Sequence, residues 1–102
     1  MRTAARVFRA LADPTRRQIL EELKGGELAA GEIGARFAIS APSISRHLAI
    51  LKGAELVNER RDGNRVLYRL EPETLIASLN AYLSAVCPTQ MRQRRRIAAR
   101  RS

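Results

Sequence analysis

The stretch Ser40–Gly53, S-A-P-S-I-S-R-H-L-A-I-L-K-G, decides the reading of the chain. Ser40 is suited to cap a helix, because its side-chain oxygen accepts from a first-turn N–H that has no partner within the helix. Pro42 falls in the first turn, where a missing N–H removes no helical hydrogen bond. Ile44, Leu48 and Leu51 recur at spacings of 4 and 3 and lay one apolar stripe along the helix. Ser43, Arg46 and His47 fall largely off that stripe. They form a short polar face able to hydrogen-bond to base edges or phosphates. Such a face suits a DNA-recognition helix and, equally, an ordinary surface helix. The flanking sequence has to separate the two.

Upstream, Asp13–Pro14 opens a helix in the same manner as Ser40. It runs through Ile19, Leu20 and Leu23 and stops at Gly25–Gly26. Ala30–Phe37 reads as a short helix anchored by Ile33 and Phe37, with Glu32 favouring its N-terminal half and Gly34 weakening it. Ala38–Ile39 then make a tight link to Ser40. Two helices joined by three or four residues are the helix-turn-helix arrangement, whose second helix enters the major groove. At the start of the chain, Thr3–Leu11 reads as an amphipathic packing helix. Val7, Ala10 and Leu11 fall on one side, Phe8 and Ala4 border it, and Arg6 and Arg9 point out; the pattern fits packing within the chain or against a second copy.

Downstream, Glu55–Arg61 leads into a strand pair through Leu56 and Val57. Arg61-Asp62-Gly63-Asn64-Arg65 is a hairpin turn, with Gly63 and Asn64 tolerant of positive φ. In Arg65–Leu70 the pattern alternates, placing Val66, Tyr68 and Leu70 on one face and Arg65, Leu67 and Arg69 on the other. A hairpin carrying Arg60, Arg61 and Arg65 near its tip, directly after a recognition helix, is a wing that can touch phosphate or the minor groove. Pro72 opens a last helix to Val86. Leu75, Leu79, Tyr82 and Val86 form its stripe, widened by Ile76 and Leu83. No later core-forming element remains for so wide a face. A second copy of the chain, meeting it together with the first helix, is the expected acceptor, and internal packing is the competing account.

Composition bounds the partners. The 102 residues suffice for one domain with a thin core. Net charge is +9, and six of the 19 basic residues are arginines within Gln90–Ser102, so the first 89 residues carry 13 basic against 10 acidic. This balance favours a polyanion, nucleic acid before an anionic membrane surface. The Arg-rich stretch itself could lie along DNA phosphates or equally serve as a solubilising or anionic-surface tail. One cysteine leaves no intrachain disulfide framework. No apolar run reaches signal-peptide or membrane-span length, so a cytoplasmic protein, nucleoid-associated when bound, is expected.

Enzymatic chemistry finds no footing. G-E-L-A-A-G-E-I lacks the spacing of a phosphate-binding loop. His47 and Cys87 are the only residues of their types and stand 39 residues apart, which is no metal-ligand spacing. No nucleophile or acid–base pair stands out. No catalytic residue, cofactor or metal is expected.

Three segments together resemble the ArsR-type winged helix-turn-helix repressors: V7-F-R-A-L-A-D-P-T-R-R-Q-I-L-E-E-L, S43-I-S-R-H-L-A-I-L-K-G-A-E-L-V57 and R60-R-D-G-N-R-V-L-Y-R-L70. The resemblance spans roughly Ala4 to Val86 in the family order. It implies a homodimer held by the first and last helices, and operator binding through the helix that starts near Ser40. Ser40, Ser43 and His47 match positions at which the family carries polar groups, Arg46 a DNA-facing position, and Arg61 to Arg65 the wing tip. Metal-sensing members carry Cys-x-Cys in the helix matching Ala30–Phe37, or Asp and His ligands in the last helix. This chain has neither, so it looks more like the metal-independent branch that includes autorepressors. Thiol-switch members need two cysteines, and Cys87 stands alone.

The expectation is a mainly α fold with a small β-hairpin wing, in the order four helices, two strands, one helix. Residues 1–88 form the DNA-binding and dimerisation domain and 89–102 an Arg-rich tail. DNA contacts are assigned to Ser40, Ala41, Pro42, Ser43, Ser45, Arg46, His47, Arg60, Arg61, Asn64 and Arg65. The dimer interface is assigned to Val7, Phe8, Leu11, Leu75, Leu79, Tyr82, Leu83 and Val86. The expected partners are double-stranded DNA and a second copy, with an effector or sequestering protein of unknown identity. A protein–protein interaction module and a repressor sensing an organic ligand are the rival functions.

Overall fold

Residues 2–88 are described by the computed structural model. The elements in chain order are α1 (Arg2–Leu11), α2 (Pro14–Leu23), β1 (Leu28–Ala29), α3 (Ala30–Gly34), α4 (Ala41–Gly53), β2 (Val57–Asp62), β3 (Arg65–Leu70) and α5 (Pro72–Val86). The mainly helical fold with a hairpin wing is the one expected. The proposed tail, 89–102, lies outside the described residues.

Local chemistry sets the helix starts. Asp13 takes an extended conformation and its carboxylate accepts from the Arg16 N–H at 3.0 Å, with Pro14 in the first turn of α2. Ser40 repeats the device for α4, its Oγ accepting from the Ser43 N–H at 3.3 Å. Each cap is worth about 1 kcal/mol. The core is worth more. Ile44, Leu48 and Leu51 of α4 are buried among Val7 and Ala10 of α1, Ile19, Leu20 and Leu23 of α2, Ile33 of α3, and Leu56 and Val57 at the entry to β2. At about 1.5–3 kcal/mol per buried aliphatic side chain, packing rather than capping holds α4 in place.

The sheet departs from the expected pair of strands. Two residues before α3, too few to show a period, form β1 and pair antiparallel with β3, Leu28 opposite Tyr68 and Ala29 opposite Leu67. The strand order is β1-β3-β2, so β3 is central. That explains Leu67, which is the buried residue of β3 although the alternation assigns it to the charged face; Tyr68 and Leu70 on the other face pack against the core as partly buried neighbours. At the wing tip Asp62 and Arg65 close the hairpin, and only Gly63 takes a positive φ, 64°. Glycine at the first of two loop positions suits the type II′ geometry, and Asn64 needs no left-handed conformation.

One helix end also differs from expectation. α3 stops at Gly34 rather than Phe37, and Arg36 and Phe37 continue as turns, their N–H groups donating to the carbonyls of Ile33 and Gly34. The glycine weakens the helix there, and Phe37 still reaches the core from the turn. The link to α4 is therefore residues 35–40, longer than three or four. At its other end α4 stops at Gly53, as expected, and the left-handed residue beyond it is Glu55, with φ 61°. The Leu56 N–H donates to the Leu51 carbonyl at 3.0 Å and the Glu55 N–H to the Lys52 carbonyl at 2.9 Å. That is a Schellman cap, normally built on glycine. Leu51 and Leu56, both fully buried, supply the apolar contact that goes with it.

Glutamate in a left-handed conformation costs roughly 1–2 kcal/mol, and its side chain makes no hydrogen bond or ion pair among the described residues. Glu55→Gly should therefore raise stability by about 1 kcal/mol in chemical denaturation. Leu56→Ala, which empties a filled core position, should lower it by about 2–5 kcal/mol. A destabilising Glu55→Gly would contradict the cap assignment.

Candidate nucleic-acid interface

The side of α4 turned from the core carries Ala41, Pro42, Ser45, Arg46 and Ala49, all exposed. Arg46 makes no hydrogen bond or ion pair among the described residues. Its guanidinium is a free planar donor, the group best matched to a guanine edge or a phosphate. Ser43 and His47 sit closer to the helix neighbours and are half-buried. The Ser40 hydroxyl donates to Ser43 Oγ at 3.0 Å, so these two serines partly satisfy each other.

His47 is turned toward α2. Its Nδ1 lies 3.3 Å from Arg16 Nη1 and 4.0 Å from Asp13 Oδ2, with the side chain 20% exposed. Arg16 is itself held, donating through Nε to the Ala10 carbonyl at 2.8 Å and through Nη2 to the Arg9 carbonyl at 3.0 Å. The Arg16 N–H bond, followed by the Arg16 and His47 charges, holds the Asp13 carboxyl below its ordinary pKa. This cluster joins α1, α2 and α4 beside the polar face. Only His47 of the three was assigned from sequence; a contact across 31 positions leaves no local signal.

On the wing, the three arginines do not stand alike. Arg60 forks onto Glu27, both nitrogens at 2.8 Å, and Arg65 pairs with Glu32 at 2.5 Å. Arg61 and Asn64 are exposed at the tip without such partners. The pairs tie the wing to the segment around β1 and α3. Glu32 has a second role, accepting from the Ala29 N–H at 2.9 Å at the start of α3. Glu59 pairs with Lys52, fixing the wing to the end of α4. The bond from Arg60 lowers the Glu27 pKa, the Ala29 N–H and then Arg65 lower that of Glu32, and the bond from Lys52 lowers that of Glu59. Burial, aided by the Glu59 charge, raises that of Tyr68. The ion pairs of Glu27, Glu32 and Glu59 were missed in the sequence because their partners come from other elements, although the place of Glu32 at the start of α3 was read.

A separate surface, formed by α1 and α5, is apolar. Phe8 of α1 meets Tyr82 of α5 edge-on, with ring centroids 5.2 Å apart. Around them Leu79 is 36%, Leu83 44% and Val86 59% exposed, and Ile76, outside the assigned interface, is 57% exposed. Val7 is a correction: it is fully buried in its own chain's core and offers no surface to a second copy. Leu11 and Leu75 are half-buried against that same core. The inward side of α5 runs instead through Leu75 and Ser78, the latter buried.

Among the described residues no group of three or more His, Cys, Asp or Glu is placed to hold a metal ion. Nor is any described helix long and apolar enough to cross a membrane.

A core-anchored helix with a free polar side, a short helix before it and a basic hairpin after it define a winged helix-turn-helix DNA-binding domain. Residues 13–59 match the family model described as "Bacterial regulatory protein, arsR family". The "Transcriptional repressor SdpR" of Bacillus subtilis (strain 168) is 49% identical over 80 residues, 78% of this chain and 89% of that protein. The structure of an "ArsR-like Transcriptional Regulator" from Rhodococcus sp. RHA1 superposes with a TM-score of 0.74 at 31% identity, covering 95% of this chain and 88% of that one. The homodimeric winged helix-turn-helix DNA-binding domain of Mb0332 from Mycobacterium bovis gives a TM-score of 0.68 at 33% identity, covering 81% of this chain and 78% of that one. The chain belongs to the ArsR family and is a DNA-binding regulator.

The wing ties set a pH dependence. Glu27, Glu32 and Glu59 titrate lower in the folded than in the unfolded chain, so the stability they add is complete above the unfolded carboxylate range. It is lost as the pH falls through their lowered folded values. The pairs are exposed and the loss is small. Denaturation midpoints measured from neutral to acid pH should decline below the carboxylate range, with a shallower decline in Glu27→Gln/Glu59→Gln. Superimposable acid limbs in the two proteins would contradict the assignment.

Proposed function

We propose that this regulator is a homodimeric transcriptional repressor that occupies an inverted-repeat operator without a bound metal, and that it acts as an autorepressor. The observation that carries this reading is the two-sided surface. A free polar face on α4 lies on one side, and an apolar face of α1 and α5 with Phe8, Ile76, Leu79, Tyr82, Leu83 and Val86 lies on another. Apolar side chains grouped in this way mark an interface. A two-fold dimer presents two copies of α4 to successive major grooves, about 34 Å apart. Mb0332 is described as homodimeric and SdpR as a repressor, in keeping with this reading.

The contacts divide by role. Ala41, Pro42, Ser45 and Arg46 meet base edges, because they are exposed along the outer side of α4. Ser40, Ser43 and His47 stand at its border; His47, held by Arg16, positions the helix and meets the flanking strand. Arg61 and Asn64 extend the wing tip toward phosphate or the minor groove. Arg60 and Arg65 exchange their glutamates for phosphate only when DNA competes for them. Repression is by occupancy, and release follows from a signal or from the protein's own concentration.

Arg46→Ala should cost about 1–3 kcal/mol of discrimination between operator and random DNA, measured by titrating both duplexes. Equal losses on the two would remove Arg46 from base readout. Leu83→Asp places a charge in the proposed interface and should convert a dimer to a monomer in sedimentation, with the domain still folded because Leu83 contributes little to its own core. A sedimenting dimer in that variant would contradict the interface.

A further inference from the structure

The carboxylates of this domain are distributed unevenly among its cations. Arg36 pairs with Glu22, Lys52 with Glu59, Arg60 with Glu27, Arg65 with Glu32 and Arg69 with Glu71. Arg6, Arg9 and Arg16 have no carboxylate within ion-pair distance among the described residues, yet they line one cleft, with Ile50, Gly53 and Ala54 as its other walls. No acidic side chain lines that cleft, and α1 contains no acidic residue.

Each arginine is in a different state. Arg16 is fixed by its bonds to the Ala10 and Arg9 carbonyls and by its contact with His47. Arg6 is exposed and reaches the Gly53 carbonyl at 3.5 Å, the limit of a hydrogen bond. Arg9 is exposed, and its side chain makes no hydrogen bond among the described residues. Two exposed forks and one held by backbone carbonyls, in a cleft with no carboxylate among its walls, form an anion seat. Its position selects the anion. Arg46, Ile50 and Gly53 follow one another at spacings of 4 and 3 along one side of α4, so the cleft continues the free polar side of that helix toward its C-terminal end.

We propose that Arg6, Arg9 and Arg16 seat a backbone phosphate of the DNA duplex at the edge of the half-site read by α4. Arg6 and Arg9 bond the phosphate oxygens, and Arg16 holds α1 and α4 at the separation that admits it. Guanidinium forks match phosphate geometry, and most protein–DNA hydrogen bonds run to the backbone. An α1 arginine pair solvated for solubility alone would be indifferent to the presence of DNA. The proposal rests on the DNA-binding reading above, and its failure is separable from the failure of that reading.

The test titrates the full chain and its Arg6→Ala/Arg9→Ala variant against two duplexes of equal length, the DNA upstream of its own gene and a random sequence, at a series of salt concentrations. Melting temperatures are measured alongside, and Arg9→Ala alone, which removes no hydrogen bond, repeats the titration. The expected result is an equal fold-loss on both duplexes. The slope of log affinity against log salt should become shallower by roughly one to two units in the double variant, about one per lost phosphate contact. Arg6→Lys/Arg9→Lys should restore most of the slope. An unchanged slope in variants that fold, while the wild type binds, overturns the phosphate seat alone. A loss confined to the upstream DNA also overturns it, since that is base readout. A wild type that binds neither duplex overturns the seat and the proposed function together.

Discussion

Burial of Ile44, Leu48 and Leu51 is the constraint on which the rest of this domain depends. These three residues place α4 against α1, α2, α3 and the entry to β2 at once. The helix that presents Arg46 to solvent is therefore the central helix of the core. A polar face carried this way cannot swing independently of the domain, and a rigid element positions contacts better than a loop does. The C-terminal cap extends the same logic. Leu56 fills the core next to Leu51, and the chain accepts a left-handed glutamate at position 55 to bring it there. From that turn the chain passes directly into the wing, so helix and wing are set relative to each other by the same buried pair.

Electrostatics arranges what packing has placed. Glu27, Glu32 and Glu59 bind the base and flank of the wing to the segment around β1 and α3 and to α4, while Arg46 and Arg61 make no ion pair among the described residues. Exposed pairs of this kind add little stability. Their larger effect is to decide which cations a polyanion meets first. Asp13, Arg16 and His47 do the equivalent for the helices, locking α2 to α4 through hydrogen bonds and close contacts. The apolar face of α1 and α5 lies outside both networks, and its side chains are exposed.

Features written in neighbouring residues were legible in the sequence. Ser40 and Asp13 cap the helices assigned to them, the 44/48/51 stripe is buried, and Gly63 makes the wing turn. The family motifs agreed with this reading. What escaped was tertiary. β1 is too short for a pattern, and it changes β3 from an edge strand into a central one, which is what buries Leu67. The Arg60–Glu27 and Arg65–Glu32 pairs each join residues 33 positions apart. His47 has the helix-face position expected of a DNA contact, but Arg16 draws it inward. Val7 was assigned to the interface with the first helix, but its own core consumes it. The α5 stripe was read as a single face, although Leu75 serves the core while Ile76, Leu79 and Leu83 do not.

The central claim is that two copies of α4, fixed by the core and related by a two-fold axis, read adjacent major grooves. Hydroxyl-radical footprinting of the full chain on the DNA upstream of its own gene tests this most directly. The account predicts symmetric protection on one face of the duplex, centred on two half-sites about 10–10.5 base pairs apart or a multiple of that spacing. A single unsymmetrical block, or uniform protection along the fragment, would contradict it.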